Sequence, residues 1–416
     1  MSPSASAAAD IRRIAIAFAD RPAPTADRAA GAAGGLASPP ILAHNAGTKT
    51  RTSGGMLSPS ALTFMCGLLA GGVLGVAGRA GRFCTLAMLE DAFFGADTRR
   101  LKSFALAAAV ALVATQLLAS FGLVDLSRSI YLTSSIPLGG AILGGFMFGI
   151  GMALVGTCGF GTLVRIGGGD LRAIVVFLVL GVSALAAMRG LTGFLRVGLI
   201  EPLSLRLPET MSQGIDVLLS TVLGSYARPA VVSIAAVALA AWALADGRLV
   251  KSPRLLLSGL AVGSAVAFGW FATGWLGNDD FDPARVASLT FVAPLGNTVL
   301  YIATLSGSRA DFAIGSVAGV ILGSFVAAMF SHVFRWEACD DARELKRHMV
   351  GALLMGTGGI MSMGCTIGQG LSAFSTLALS APLTMLAITC GARLGLEYTM
   401  TGEWRPAVRN LLRISH

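Results

Sequence analysis

"LGGFMFGIGMALVGTCGFGTL" (143–163) and "HMVGALLMGTGGIMSMGCTIGQGL" (348–371) carry one pattern twice. Each runs a glycine-dotted apolar stretch into Gly-x-Cys or Gly-Cys, then another glycine, then a short apolar return. One more apolar run follows each. Glycine beside cysteine lets the chain turn sharply and lets backbone N–H groups approach a guest. A short helix starting just after the turn points its positive end at the same spot, and an anion suits such a place. Taken singly, either motif reads as helix packing around a small buried thiol. As a matched pair in two halves of one chain, they point to a substrate site between the halves.

The surrounding composition sets the medium. The 416 residues are 54% hydrophobic and 13% charged, with a mean hydropathy of +0.74, whereas soluble domains carry about 25% charged residues. Apolar runs of about 18 residues or more recur throughout, which defines an all-α polytopic integral membrane protein in a lipid bilayer. The formal net charge of +9 then reads as loop arginines on the cytoplasmic side, and it calls for no nucleic-acid partner. No Walker-type loop, no Cys-x-x-Cys pair and no Cys/His zinc spacing occur. Nothing in the chain calls for a cofactor or a bound metal, and nothing marks an enzyme.

Nine spans are expected, near 59–77, 103–124, 136–155, 171–188, 229–246, 255–275, 311–333, 348–363 and 381–398. Residues 1–55, rich in Ala, Pro and Gly, read as a disordered or misassigned extension, with Met56 as a natural start. The first membrane repeat is then 56–228 and the second 229–416. The basic loops "TRRLK" (98–102) and "GRLVKSPR" (247–254) and the C-terminal arginines belong in the cytoplasm, leaving the acidic "GNDDFDPAR" (277–285) outside. This places the N-terminus outside and the C-terminus inside a cell inner membrane. The pieces 84–95, 161–169 and 366–379 do not fit as spans and read as re-entrant; 288–305 is long enough to cross, but crossing there would put 335–348 outside, so it too reads as re-entrant. The span before Cys158 then runs inward and the one before Cys365 outward, so the repeat is inverted.

The candidate pathway residues are Cys158 with Gly156 and Gly159, Cys365 with Gly364 and Gly368, and Gln369 as a polar donor beside Cys365. Cys84 opens the first re-entrant piece after Arg79 and Arg82. Its second-half counterpart offers Asn297 where a thiol would be expected. Ser372, Ser375 and Thr376 are expected to bond their own backbone. Cys66 and Cys390 read as packing residues, and Cys339 as a loop residue.

"GRFCTLAMLEDA", "GTCGFGTLVRIGGGDLRA" and "HMVGALLMGTGGIMSMGCTIGQGLSAFST" resemble the YeeE/YedE family of bacterial sulfur-anion transporters, over roughly residues 57 to 400. The resemblance implies nine spans with re-entrant loops meeting in an hourglass. It also implies thiosulfate or a related small sulfur anion as substrate, passed along cysteines by S–H···S hydrogen bonds. Cys158 and Cys365 match the family pattern. A third thiol is implied early in the second half, yet no cysteine lies between 159 and 338, so Cys84 is the substitute from the first half. Cytosolic sulfurtransferase-type carriers accompany some members, and one would dock on the basic inner face.

Three other readings compete. A transporter of selenium species would use the same pathway. A soft-metal transporter would use paired thiolates with supporting Met; Met361 and Met363 lie near Cys365, whereas Cys158 has only Met152. A membrane thiol oxidoreductase would need two cysteines close enough to pair.

Overall fold

The computed structural model describes residues 59–206, 213–217, 227–245, 247–277, 286–304, 310–338 and 341–403, with 405, 406 and 409. The expected extension 1–55, Cys339 and nearly all of the acidic loop lie outside the described residues. From Gly55 on, the chain is one compact unit.

Helices dominate because in an apolar medium a helix satisfies every backbone N–H and C=O within itself, and the prolines of these helices fall in their first turns. In chain order those of nine or more residues are α1 (Pro59–Arg79), α2 (Thr85–Phe93), α3 (Arg99–Ser120), α4 (Gly145–Val155), α5 (Gly159–Gly167) and α6 (Leu171–Arg189). Then come α7 (Ala227–Leu244), α8 (Pro253–Phe271), α9 (Val292–Thr304), α10 (Phe312–Phe330), α11 (Ala342–Met361), α12 (366–375) and α13 (Ser380–Thr401). Wider π-type turns lead into α4 (Gly140–Gly144), follow α8 (Ala272–Leu276) and form the middle of α12 (Gly368–Ala373). Two short strands, β1 (Ser135–Ile136) and β2 (Leu205–Arg206), pair antiparallel, with Ser135 opposite Arg206 and Ile136 opposite Leu205.

Among the described residues, six helical stretches are long and apolar enough to cross a membrane: Ser60–Arg79, Arg99–Ser120, Gly140–Gly167, Leu171–Arg189, Pro253–Leu276 and Phe312–Phe330. The pieces read as re-entrant are short helices. The nine residues of α2 span roughly 14 Å at 1.5 Å per residue, under half of a hydrocarbon core of about 30 Å.

Helix pairing follows a rule. α1 packs on α10 and α8 on α3; α4 packs on α13 and α11 on α6; α6 packs on α9 and α13 on α2; α5 packs on α10 and α12 on α3. Exchanging the first six helices for the last six turns each of these contacts into its partner. α1 also meets α8, and α4 meets α11, in antiparallel fashion: Thr63 and Gly81 lie by Gly277 and Ser258, and Gly144 and Gly151 by Gly358 and Gly351.

The α1–α10 contact is backbone on backbone. Gly67, Gly71 and Gly75 face the carbonyls of Phe312, Ser316 and Val320, and Gly315, Gly319 and Gly323 face those of Phe64, Leu68 and Gly72. A Cβ at any of the six would run into a main-chain oxygen. In an apolar medium small residues are what allow helices to approach this closely.

Candidate functional site

Four short helices begin at one place in the interior. Cys158 is the N-cap residue of α5 and its sulfur accepts the Gly161 N–H at 3.5 Å. Cys365 precedes α12 and its sulfur accepts the Gly368 N–H at 3.4 Å. The two caps share one geometry, sulfur to the amide three residues on, and both side chains are fully buried. Because the lone pair of each sulfur is engaged by its own helix, the S–H proton is left to donate elsewhere.

The turns that set these caps need their glycines. Gly156 ends α4 with φ +76°, and its carbonyl accepts from the Arg165 guanidinium at 2.9 Å. Gly364 holds φ +157° after Met363 at φ +58°, a backbone that favours glycine. Gly159 opens α5, where a Cβ would press on Leu295 at 3.3 Å.

Cys84 is the N-cap residue of α2, partly buried and without a capping hydrogen bond of its own. It lies within electrostatic reach of Cys158, and Cys158 within reach of Cys365. The next residue, Thr85, reaches across the halves: its hydroxyl accepts from that of Thr366 at 3.1 Å, both side chains being buried. The Cys158 thiol lies beside both hydroxyls. A narrow surface cleft reaches Cys84, walled by Phe83, Met88, Ser103, Phe104 and Leu255 and carrying Arg82 and Arg100. Arg100 is held by Asp91 at 2.9 Å, which gives that acid a structural partner.

The fourth helix end belongs to α9. Thr290 and the Phe291 main chain stand beside the Cys365 sulfur, and the Phe160 and Phe291 rings join the α5 and α9 starts with centroids 5.4 Å apart. Asn297 lies two turns further along α9, half-buried; the hydroxyl at the helix start is that of Thr290. Gln369 is buried and donates through Nε2 to the Ser362 carbonyl at 2.7 Å. Only an amide nitrogen can donate to a carbonyl, so its orientation is unambiguous and the side chain braces the Ser362–Gly364 turn. Ser375 and Thr376 bond their own helix as expected, but Ser372 donates to Leu289, and Ser375 also accepts from the Trp270 indole. Cys66 is buried, whereas Cys390 is exposed on α13 and not packed in the core. Among the described residues no cluster of three or more His, Cys, Asp or Glu suits a metal ion.

Sequence reading passed over Thr85, Thr290, Thr366 and Tyr131. The first three adjoin the motifs already marked, and a hydroxyl flanking a helix-opening residue was the available signal. We expect Thr85→Val to cost about 1–3 kcal/mol by leaving buried polar atoms unmatched. Thermal melting of the detergent-purified protein checks it, with Thr85→Ser retaining the wild-type midpoint.

Apolar helices long enough to cross a bilayer define a membrane-embedded protein, and short helices capped by thiols and flanked by buried hydroxyls converge in its interior. The sequence profile of a family described as sulphur transport matches residues 80–394, and the chain belongs to that family. It is similar to the thiosulfate transporter TsuA of Escherichia coli strain K12, 23% identical over 350 residues, 82% of this chain and 92% of that protein. It is likewise similar to the thiosulfate transporter TsuA of Spirochaeta thermophila, 27% identical over 329 residues, 78% of this chain and 96% of that one.

Proposed function

We propose that this protein takes up thiosulfate, or a closely related sulfur anion, across the inner membrane along Cys84, Cys158 and Cys365. The observation that carries the reading is the pair of identical sulfur caps, Gly161 N–H to Cys158 and Gly368 N–H to Cys365, each leaving a thiol proton free to donate. A dianion stripped of water needs several donors at once, and the thiols, the Thr85 and Thr366 hydroxyls and the helix ends are there to act together.

The reading includes nine spans, α1, α3, α4, α6, α7, α8, α10, α11 and α13, with α2, α5, α9 and α12 re-entering to the centre. The exchange rule among helix contacts and the antiparallel α1–α8 and α4–α11 pairs support an inverted repeat with its site between the halves. The orientation, N-terminus outside and C-terminus inside, is supported by the basic ends that meet on one side: Arg79 reaches the Val333 carbonyl, and Arg172 bonds Asp170, Glu337 and Glu344. A cytosolic sulfurtransferase-type carrier would receive the anion on that face.

Uptake of radiolabelled thiosulfate into cells lacking other thiosulfate permeases tests the reading. We expect accumulation well above that of cells carrying an empty vector. Accumulation no higher than the vector's would rule out thiosulfate as the substrate.

A further inference from the structure

Tyr131 lies in the connection between α3 and α4, outside the helices that correspond between the halves. Its side chain is 2% exposed, and its hydroxyl has the Thr290 hydroxyl beside it without a well-formed hydrogen bond to it. Leaving a buried hydroxyl unmatched costs about 1–3 kcal/mol, and native proteins seldom keep such a group without a use.

The surroundings point to that use. A Cβ built on Gly368 would meet the Thr290 hydroxyl at 2.5 Å and the Tyr131 hydroxyl at 3.3 Å, so both oxygens look onto the first turn of α12. The Cys365 sulfur is within electrostatic reach of Tyr131 and beside Thr290. The ring is fixed from two sides: edge-on to Trp270, with centroids 6.3 Å apart, and through its carbonyl, which accepts from Gln213 Nε2 at 2.5 Å. A phenol, a threonine hydroxyl and a thiol thus gather at one helix end, and each carries a proton that it can donate to an anion seated there.

We infer that Tyr131 and Thr290 form an oxygen-donor subsite next to Cys365, which binds the sulfonate-type oxygens of the transported anion while the thiol meets its terminal sulfur. The inference rests on the transport reading above and goes beyond it. It adds two residues and a chemical division of labour, hard O–H donors for oxygen and a soft S–H donor for sulfur. It also gives Gly368 a reason, since any side chain there would fill the space between the two hydroxyls.

The test is concentration-dependent thiosulfate uptake by the full chain, with Tyr131→Phe, Thr290→Val and Thr290→Ser compared at equal membrane abundance. Phenylalanine keeps the edge contact with Trp270 and the main-chain bond to Gln213, and removes one hydroxyl. The expected result is a KM raised about tenfold or more by Tyr131→Phe and by Thr290→Val, with the melting midpoint unchanged for Tyr131→Phe, and recovery in Thr290→Ser. Wild-type uptake with an unaltered KM in Tyr131→Phe overturns the subsite and leaves the transport reading standing. A fall in maximal rate alone, matched by a lower melting midpoint, also overturns it, because the tyrosine is then a packing residue. No uptake by the wild type overturns both.

Discussion

Cys365→Ala is expected to lower thiosulfate uptake about 10- to 100-fold at concentrations below saturation, with Cys158→Ala close behind. A hydrogen bond to a charged partner contributes about 1.5–3 kcal/mol, and about 1.4 kcal/mol is tenfold in an equilibrium constant. Alanine also strips the cap from α12 or α5, which costs about 1 kcal/mol of helix stability. Serine separates the two effects, because its hydroxyl still accepts the Gly368 or Gly161 N–H and still donates. Cys365→Ser should therefore fold like the wild type and carry an intermediate flux. Equal uptake by wild type, Ala and Ser variants would return both cysteines to a packing role. Complete loss in Ser as well as Ala, with intact protein, would favour thiol redox chemistry over hydrogen bonding.

Gly71→Leu is expected to remove the folded protein from the membrane. A Cβ at that position meets the Ser316 carbonyl, carbon and Cα together, all of them main-chain atoms that cannot rotate away. Relief requires α1 and α10 to separate along much of their length, which forfeits the six-glycine contact. Overpacking alone costs about 1–3 kcal/mol and occasionally more, against a total stability of about 5–15 kcal/mol. Neighbouring Gly72 provides the control. Its Cβ would find the Gly319 carbonyl at 3.9 Å, an ordinary contact, so Gly72→Ala should be neutral or slightly stabilising because alanine is the better helix former. Membrane abundance and the melting midpoint after detergent extraction distinguish the two. Equal abundance of Gly71→Leu and wild type would show that the helices are not in backbone contact.

The helices were legible because an apolar run has a minimum length for crossing lipid, and because Gly-Cys steps interrupt such runs visibly. A helix stands at each of the nine stretches read as spans, although α7, α11 and α13 fall outside the six that pass on length and apolarity. α7 is short, α11 carries its polarity at its charged start, Arg343, Glu344, Lys346 and Arg347, and α13 carries Arg393 and Glu397 paired within its second half, so length and apolarity alone understate them. The equivalence of Cys158 and Cys365 was readable because each sits in the same local pattern. Tyr131 was not readable, since "YLTSSIPLGG" has neither repeat nor periodicity, and only the three-dimensional return of that connection brings the phenol to α12. Asn297 and Thr290 differ for a related reason. Sequence places a re-entrant piece at 288–305 but not where its helix begins, and the helix start is where a side chain faces the centre. Gln369 was marked as a donor, and its amide turned out to hold the loop.

The glycine ladder between α1 and α10 also raises a problem of addressing. Rungs repeat every four residues on both helices, so sliding one helix by four residues, about 6 Å, sets each glycine against a main-chain carbonyl again. A periodic surface cannot encode its own alignment. The information must come from features that occur once, and Arg79 is one of them: it reaches from the end of α1 to the Val333 carbonyl just past α10, and its guanidinium lies against Gly168. One arginine thus acts as the index mark on a scale whose graduations are all alike.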